Sequence, residues 1–214
     1  MCWNKEISLN TFLFSSFVLG LIMYNNRYTQ YKIPDVNNIY VYIFFMSFIL
    51  MQLIEYFIWL NINNPLYNSI FTGFATLLLI FQPIASNMLI TNEIVRKKLL
   101  YSYLLFIIPL SMYKFNIKNI NSTISGLGHL RWNTVLINNN LYSMLFGLIW
   151  LFFFLFPLFY IKYNFGFLFG LLTLIITTYN YYRDETIGSM WCWIVNIIMI
   201  YYATYLLLYL PFFK

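Results

Sequence analysis

The chain has 214 residues, of which 62% are hydrophobic and 8% charged, and its mean hydropathy is positive. Soluble domains carry about 25% charged residues, so that class is excluded, and the apolar runs are long enough to cross a bilayer repeatedly. The net charge of +6 is spread thinly over connecting segments. With no dense Lys/Arg cluster there is no case for a nucleic-acid partner, and the excess suits a chain orienting itself against anionic lipid.

The expected architecture is all-α: one transmembrane domain over 1–214, a polytopic bundle of seven transmembrane helices. A first span is expected over about 7–24. A cleaved signal peptide is its rival, but no A-x-A-like site follows, and Asn25-Asn26-Arg27 reads as an ordinary helix end. Pro34 stops helix in the next loop. The second span, about 38–60, ends in Gln52-Leu53-Ile54-Glu55-Tyr56-Phe57-Ile58-Trp59. The short return through Asn61 to Pro65 makes the second and third spans antiparallel neighbours. The third, about 66–90, holds Gln82-Pro83 and Asn87, with a kink expected at Pro83.

Arg96, Lys97 and Lys98 form the densest positive run and precede a short fourth span, about 99–113, with Pro109. The longest connection, Lys114 to Asn140, is polar apart from Gly126-Leu127-Gly128-His129-Leu130-Arg131-Trp132. The remaining spans are expected over about 141–160, 166–182 and 189–210. The spacing of Gly166 and Gly170 matches GxxxG, a sign of close helix packing within the bundle or between copies, so a homo-oligomer is allowed. The abundant Asn, Ile, Tyr, Phe and Lys point to an AT-rich genome.

With the N-terminus outside and the C-terminus cytoplasmic, inner segments hold Arg27, Lys32, Arg96, Lys97, Lys98, Lys162 and Lys214. Lys5, Lys114, Lys118, Arg131 and Arg183 are then outside, so the positive-inside rule favours this orientation. The sequon Asn121-Ser122-Thr123 would face outward too. Alternation of the spans alone gathers Cys2, Trp3, Glu6, Glu55, Trp59, His129, Arg131, Trp132, Asp184, Glu185, Trp191, Cys192 and Trp193 at one face of the membrane.

Glu55 is the residue an apolar span should not tolerate, because a charge there costs at least ~2.5 kcal/mol on insertion scales. Gln52 and Trp59 share its helical face. Further polar stripes join Cys2, Glu6 and Asn10; Thr173, Thr177, Asn180 and Asp184; and Cys192 and Asn196. If they converge, they line a polar cavity open at one face and closed near mid-membrane, with only Gln82 and Asn87 beyond. The ion- or solute-binding set is then Glu55, Gln52, Glu6, Asn180 and Asn196, with His129, Arg131, Arg183 and Asp184 as charge partners or relays.

Blander readings stand beside these. Glu55 can be tied structurally to Arg131 or Arg183, and Trp3, Trp59 and Trp132 can be an interfacial anchoring belt. His129 can be a surface residue, and in-helix Asn and Thr can be glue between neighbours. Cys2 and Cys192 can form a disulfide or remain two free thiols. One His cannot complete a usual zinc set, no CxxC is present, and no metal or cofactor is expected. No phosphate loop, HExxH or GxSxG occurs, the last span has no retinal-binding lysine, and no potassium-filter TVGYG is present. With no visible nucleophile–base set, an enzyme is not expected. The expected function is a membrane channel or transporter for protons, ions or a small polar solute. The alternative is a non-transporting scaffold or receptor whose Trp- and charge-rich face binds a partner.

Cys2-Trp3 with Glu6, QLIEYFIW, Gln82-Pro83, GHLRW and GSMWCW together resemble an uncharacterised group of seven-helix membrane proteins from large DNA viruses and protists. That resemblance implies seven spans and a viral or protist setting, and no particular activity. The sugar-transporting three-plus-one-plus-three family also has seven spans, but its paired Pro-Gln signature is not reproduced: Gln82-Pro83 is reversed and unpaired.

Overall fold

The computed structural model describes residues 4–114, 120–133 and 141–213. The elements are α1 (Lys5–Tyr28), a 3-10 turn (Pro34–Val36), α2 (Ile39–Leu60), α3 (Pro65–Asn87) and α4 (Glu93–Lys114). The strands β1 (Asn121–Ile124) and β2 (Leu130–Asn133) follow, then α5 (Leu141–Tyr160) and α6 (Asn164–Tyr181). A last helical stretch, Ile187–Phe213, comprises α7 (Ile187–Val195), α8 (Ile197–Thr204), a π-turn (Tyr205–Tyr209) and α9 (Leu210–Phe213).

Among the described residues, four helices are long and apolar enough to cross a membrane: α1, α2, α3 and the 27-residue stretch Ile187–Phe213. Leu145–Tyr160 of α5 is a shorter apolar helix, and α4 and α6 do not join the set. The chain is thus a predominantly helical membrane protein.

Asparagine sets the helix starts. Asn4, Asn38 and Asn64 each accept a backbone N–H from the first turn of α1, α2 and α3, as N-caps do. Asn92 caps α4 in the same way, accepting from Ile94 and Val95. This cap explains why α4 begins at Glu93 and not near residue 99: the charged segment becomes its first turns, with Glu93 and Lys97 paired at 2.7 Å across an exposed face.

The bundle is held by groups that prolines release. Pro83 has no N–H, so the Leu79 carbonyl loses its helical partner. The indole N–H of Trp150 on α5 donates to it at 2.7 Å. Pro157 of α5 releases the Phe153 carbonyl in turn, and the Asn87 amide of α3 donates to it at 3.4 Å, beside a 2.6 Å bond from Ser86 to the Phe154 carbonyl. From the Leu79–Trp150 bond to the two at Ser86 and Asn87 the contacts advance along both helices together, so α3 and α5 lie parallel. Helix α3 continues through Pro83 to Asn87. Neighbour donors at proline sites are what lipid requires, because no water is there to fill them.

The long connection between α4 and α5, read as a polar loop, contains a hairpin. Its register pairs Asn121 with Asn133, Ser122 with Trp132, Thr123 with Arg131 and Ile124 with Leu130. The turn closes through Gly128 N–H to the Ser125 carbonyl at 3.0 Å, and Gly128 has φ 80°. That geometry is a β-turn followed by a glycine bulge, which only Gly enters without strain.

Gly166 and Gly170 serve packing inside the chain. A Cβ on Gly170 would lie 3.2 Å from Leu155 of α5, and one on Gly166 would overlap the Tyr163 ring.

Candidate functional site

A buried polar seam runs where α1, α2 and the last helical stretch meet. On α2, Gln52 and Glu55 are both 0% exposed, and the Gln52 amide donates to the Glu55 carboxylate at 3.0 Å. The register of α1 against α2 is fixed by a bond from Asn26 to the Tyr42 hydroxyl. Counting along both helices from that bond brings Ser15 level with Leu53 and Ser8 near the end of α2. Ser8 and Ser15 are fully buried, and neither hydroxyl has a partner among the described residues.

The last stretch supplies Cys192 and Asn196. Cys192 is a buried free thiol within Coulombic reach of Glu55. The Asn196 amide donates to its own Cys192 carbonyl at 2.8 Å and to Phe48 of α2 at 3.5 Å. At Asn196 the helix is interrupted: the bonds from Asn196 to Trp193 and from Met199 to Asn196 span three residues instead of four. The interruption therefore lies against the same face that carries Gln52 and Glu55.

Two carbonyl oxygens of the seam, Gln52 Oε1 and Asn196 Oδ1, have no hydrogen-bond partner among the described residues. Leaving such a buried group unsatisfied costs about 1–3 kcal/mol, so both are available to a hydrogen-bonding guest. Beside Asn196 an open groove of about 240 Å³ runs between α1 and the last stretch, with exposed Phe14, Ile197 and Ile200 along it. Asn10, Thr11, Ser15, Trp193 and Asn196 are among its walls, so it reaches the seam from the side. A water occupies about 30 Å³ in the liquid, so several waters or one small solute fit.

Below the seam the interior turns aromatic. Phe44, Phe45 and Phe48 of α2 cluster edge to face, Phe45 meets Tyr202, and Phe44 meets Phe154. Trp150 stacks on Phe154, and both meet the edge of Trp191. These rings pack the interior below the polar groups.

Above, the hairpin covers the bundle end. Its inner face carries Ser122, Leu130 and Trp132, all buried. Alternate residues of an antiparallel ladder turn their N–H and C=O outward, and Ser122 turns them toward α3. There the Asn68 amide takes both, accepting from Ser122 N–H at 2.7 Å and donating to Ser122 C=O at 2.9 Å. The Thr72 and Ser122 hydroxyls bond at 2.7 Å, and Ser189 of α7 donates to the Leu130 carbonyl at 2.6 Å. Ser189, Cys192 and Asn196 share one helical stripe, so the hairpin sits on the outer end of the seam.

The expected site residues divide into three groups. Gln52, Glu55, Cys192 and Asn196 converge. His129, Arg131 and Asp184 meet at the hairpin: Ser125 donates to Asp184, Arg131 pairs with Glu185 at 3.4 Å, and His129 is buried with its ring edge-on to Tyr181. Burial pushes the His129 imidazole below its ordinary value, with Asp184 opposing the shift. Glu6, Asn180 and Arg183 stay on the outside, and Asn180 bonds its own Ile176 carbonyl at 2.7 Å.

Arg131 is therefore no partner of Glu55: it lies on the outward face of β2, opposite to Leu130 and Trp132. Trp132 is no interfacial anchor either, because it lies beneath the hairpin. The polar stripe expected on α6 splits: Thr173 and Thr177 are buried, with Thr173 accepting from the Trp191 indole at 3.0 Å, whereas Asn180 is exposed and Asp184 reaches the hairpin. Cys2 and Trp3 lie outside the described residues, as does most of the segment around Lys118. The sequence reading missed Ser8 and Ser15, although their seven-residue spacing marks one face. It also missed Asn68 and Thr72, at four-residue spacing on α3. A comparison with protein-family models finds no match to this chain, and comparisons with curated proteins and with solved structures find none either.

Proposed function

We propose that the protein is a seven-span channel or transporter for protons, ions or a small polar solute, with its N-terminus outside and its C-terminus cytoplasmic. Glu55 is the binding or proton-accepting group, with Gln52 and Asn196 completing its coordination. The observation that carries this reading is the meeting of the Gln52–Glu55 pair with the interruption at Asn196. A 3-10-type turn inside a longer helix often marks a functional hinge. An intramembrane carboxylate is expensive and usually functional. The parallel course of α3 and α5 supports alternating spans.

The test is flux through liposomes containing the purified protein, screened with protons, sodium and potassium. Glu55→Gln preserves shape while removing the charge, and flux is expected to fall at least about tenfold. Unchanged flux through a folded variant rejects the role of Glu55. The scaffold reading has one supporting observation, the polar outer face of the hairpin formed by Asn121, Thr123, Arg131 and Asn133. On that reading Arg131→Ala weakens partner capture, and no flux is found with any solute.

A further inference from the structure

At the bundle end opposite the hairpin, the Pro34–Val36 turn, the start of α2 and the α5–α6 turn enclose a cavity of about 260 Å³. Its floor includes Phe44, Phe45 and Leu158, and its rim holds Asp35, Lys162 and Tyr163. The two charges share the cavity but form no ion pair with each other among the described residues, where the ion pairs are Lys97–Glu93 and Arg131–Glu185. The rim therefore presents a separated anion and cation over an aromatic and aliphatic floor.

Lys162 occupies its place against the local preference of the backbone. It has φ 60° and follows α5, donating its N–H to the Phe159 carbonyl while Tyr163 donates to Leu158. This is the paired-bond helix stop at which glycine is favoured, because a Cβ is strained there. Among the described residues the other non-glycine position with positive φ, Glu185, uses its charge in the pair with Arg131. Next to Lys162, Tyr163 is tied to Tyr202 through their hydroxyls, and Asp35 lies within Coulombic reach of both.

We propose that this cavity binds the headgroup of a zwitterionic aminophospholipid. The primary ammonium meets Asp35, the phosphate meets Lys162, and the first acyl carbons lie on Phe44, Phe45 and Leu158. A choline headgroup has no N–H to donate to Asp35, and a glycerol headgroup offers it only neutral hydroxyls, which bond a carboxylate less strongly than an ammonium does. The apolar floor favours a lipid over a free zwitterion. This site stands independently of the transport reading.

The experiment is native mass spectrometry of the intact protein in micelles containing equal amounts of phosphatidylethanolamine, phosphatidylcholine and phosphatidylglycerol. Phosphatidylethanolamine is expected to be retained about tenfold over the others, the worth of one charge-assisted hydrogen bond. Asp35→Asn should abolish that preference, whereas Lys162→Gly, which removes the partner of the phosphate, should lower retention of all three lipids. Lys162→Gly suits the backbone, so its melting temperature should be equal or higher, which separates lost binding from lost fold. Equal retention of the three lipids by the unaltered protein, an undiminished preference in Asp35→Asn, or undiminished retention in Lys162→Gly overturns the proposal. Soluble phosphoethanolamine occupying the site as well as the lipid does overturns the assignment to a lipid.

Discussion

Asn68→Ala is expected to release the hairpin. The Asn68 side chain makes four bonds: to Ser122 N–H and C=O, to the Ile62 carbonyl at 3.1 Å, and from the Thr72 hydroxyl at 3.2 Å. Ser122 is 2% exposed, so truncation leaves its N–H and C=O buried and unpaired. At ~1.5 kcal/mol for each orphaned group the loss is about 3 kcal/mol. The Ile62 carbonyl lies near solvent and adds little. Asn68→Asp should be at least as damaging, since a carboxylate accepts from Ser122 N–H but repels its carbonyl. The control is Asn133→Ala, at the outer end of β2, where a change within about 0.5 kcal/mol is expected. Thermal unfolding in detergent gives the stability, and hydrogen exchange at the Ser122 amide reports the docking. If Asn68→Ala exchanges and melts like Asn133→Ala, the clamp does not hold the hairpin.

Trp150→Phe keeps the ring stack but strands the Leu79 carbonyl, at a cost of about 1–2 kcal/mol. Adding Pro83→Ala restores an N–H for that carbonyl, so the double variant should recover about 1 kcal/mol in a double-mutant cycle, and strict additivity refutes the pairing. Burial lowers the folded-state pKa of His129 below 6.5, so the unfolded chain binds more protons between the two values. The stability His129 contributes is therefore complete above pH 6.5 and is lost as pH falls below it. Melting between pH 7.5 and 5 should show this slope, and His129→Phe should flatten it. Arg131→Ala removes a half-exposed pair and should cost less than about 1 kcal/mol, measured in the same melts at low and high salt.

Membrane class, the apolar spans and the singular status of Glu55 were decided by the sequence itself. Composition and run length depend only on transfer free energy, which is local and additive along the chain. The starts of α1, α2 and α3 were nearly as legible, but that of α4 was not: Asn92 starts it at Glu93, ahead of the span expected from about 99. The abundance of asparagine reads as codon bias until the caps are seen. The hairpin was also written locally, in the Ser-Gly-Leu-Gly turn and the alternation from Leu130 to Asn133.

Partnership was different, because it depends on residues more than fifty positions apart. That Trp150 answers Pro83, that Asn68 clamps Ser122 and that Arg131 turns outward to Glu185 required the register between helices. So did the neighbourhood of Glu55. Its spacing to Gln52 is a property of one helix, whereas its approach to Cys192 and Asn196 arises only when the last stretch packs on α2. A polar group in lipid must find a partner somewhere; tertiary structure alone decides which one it finds.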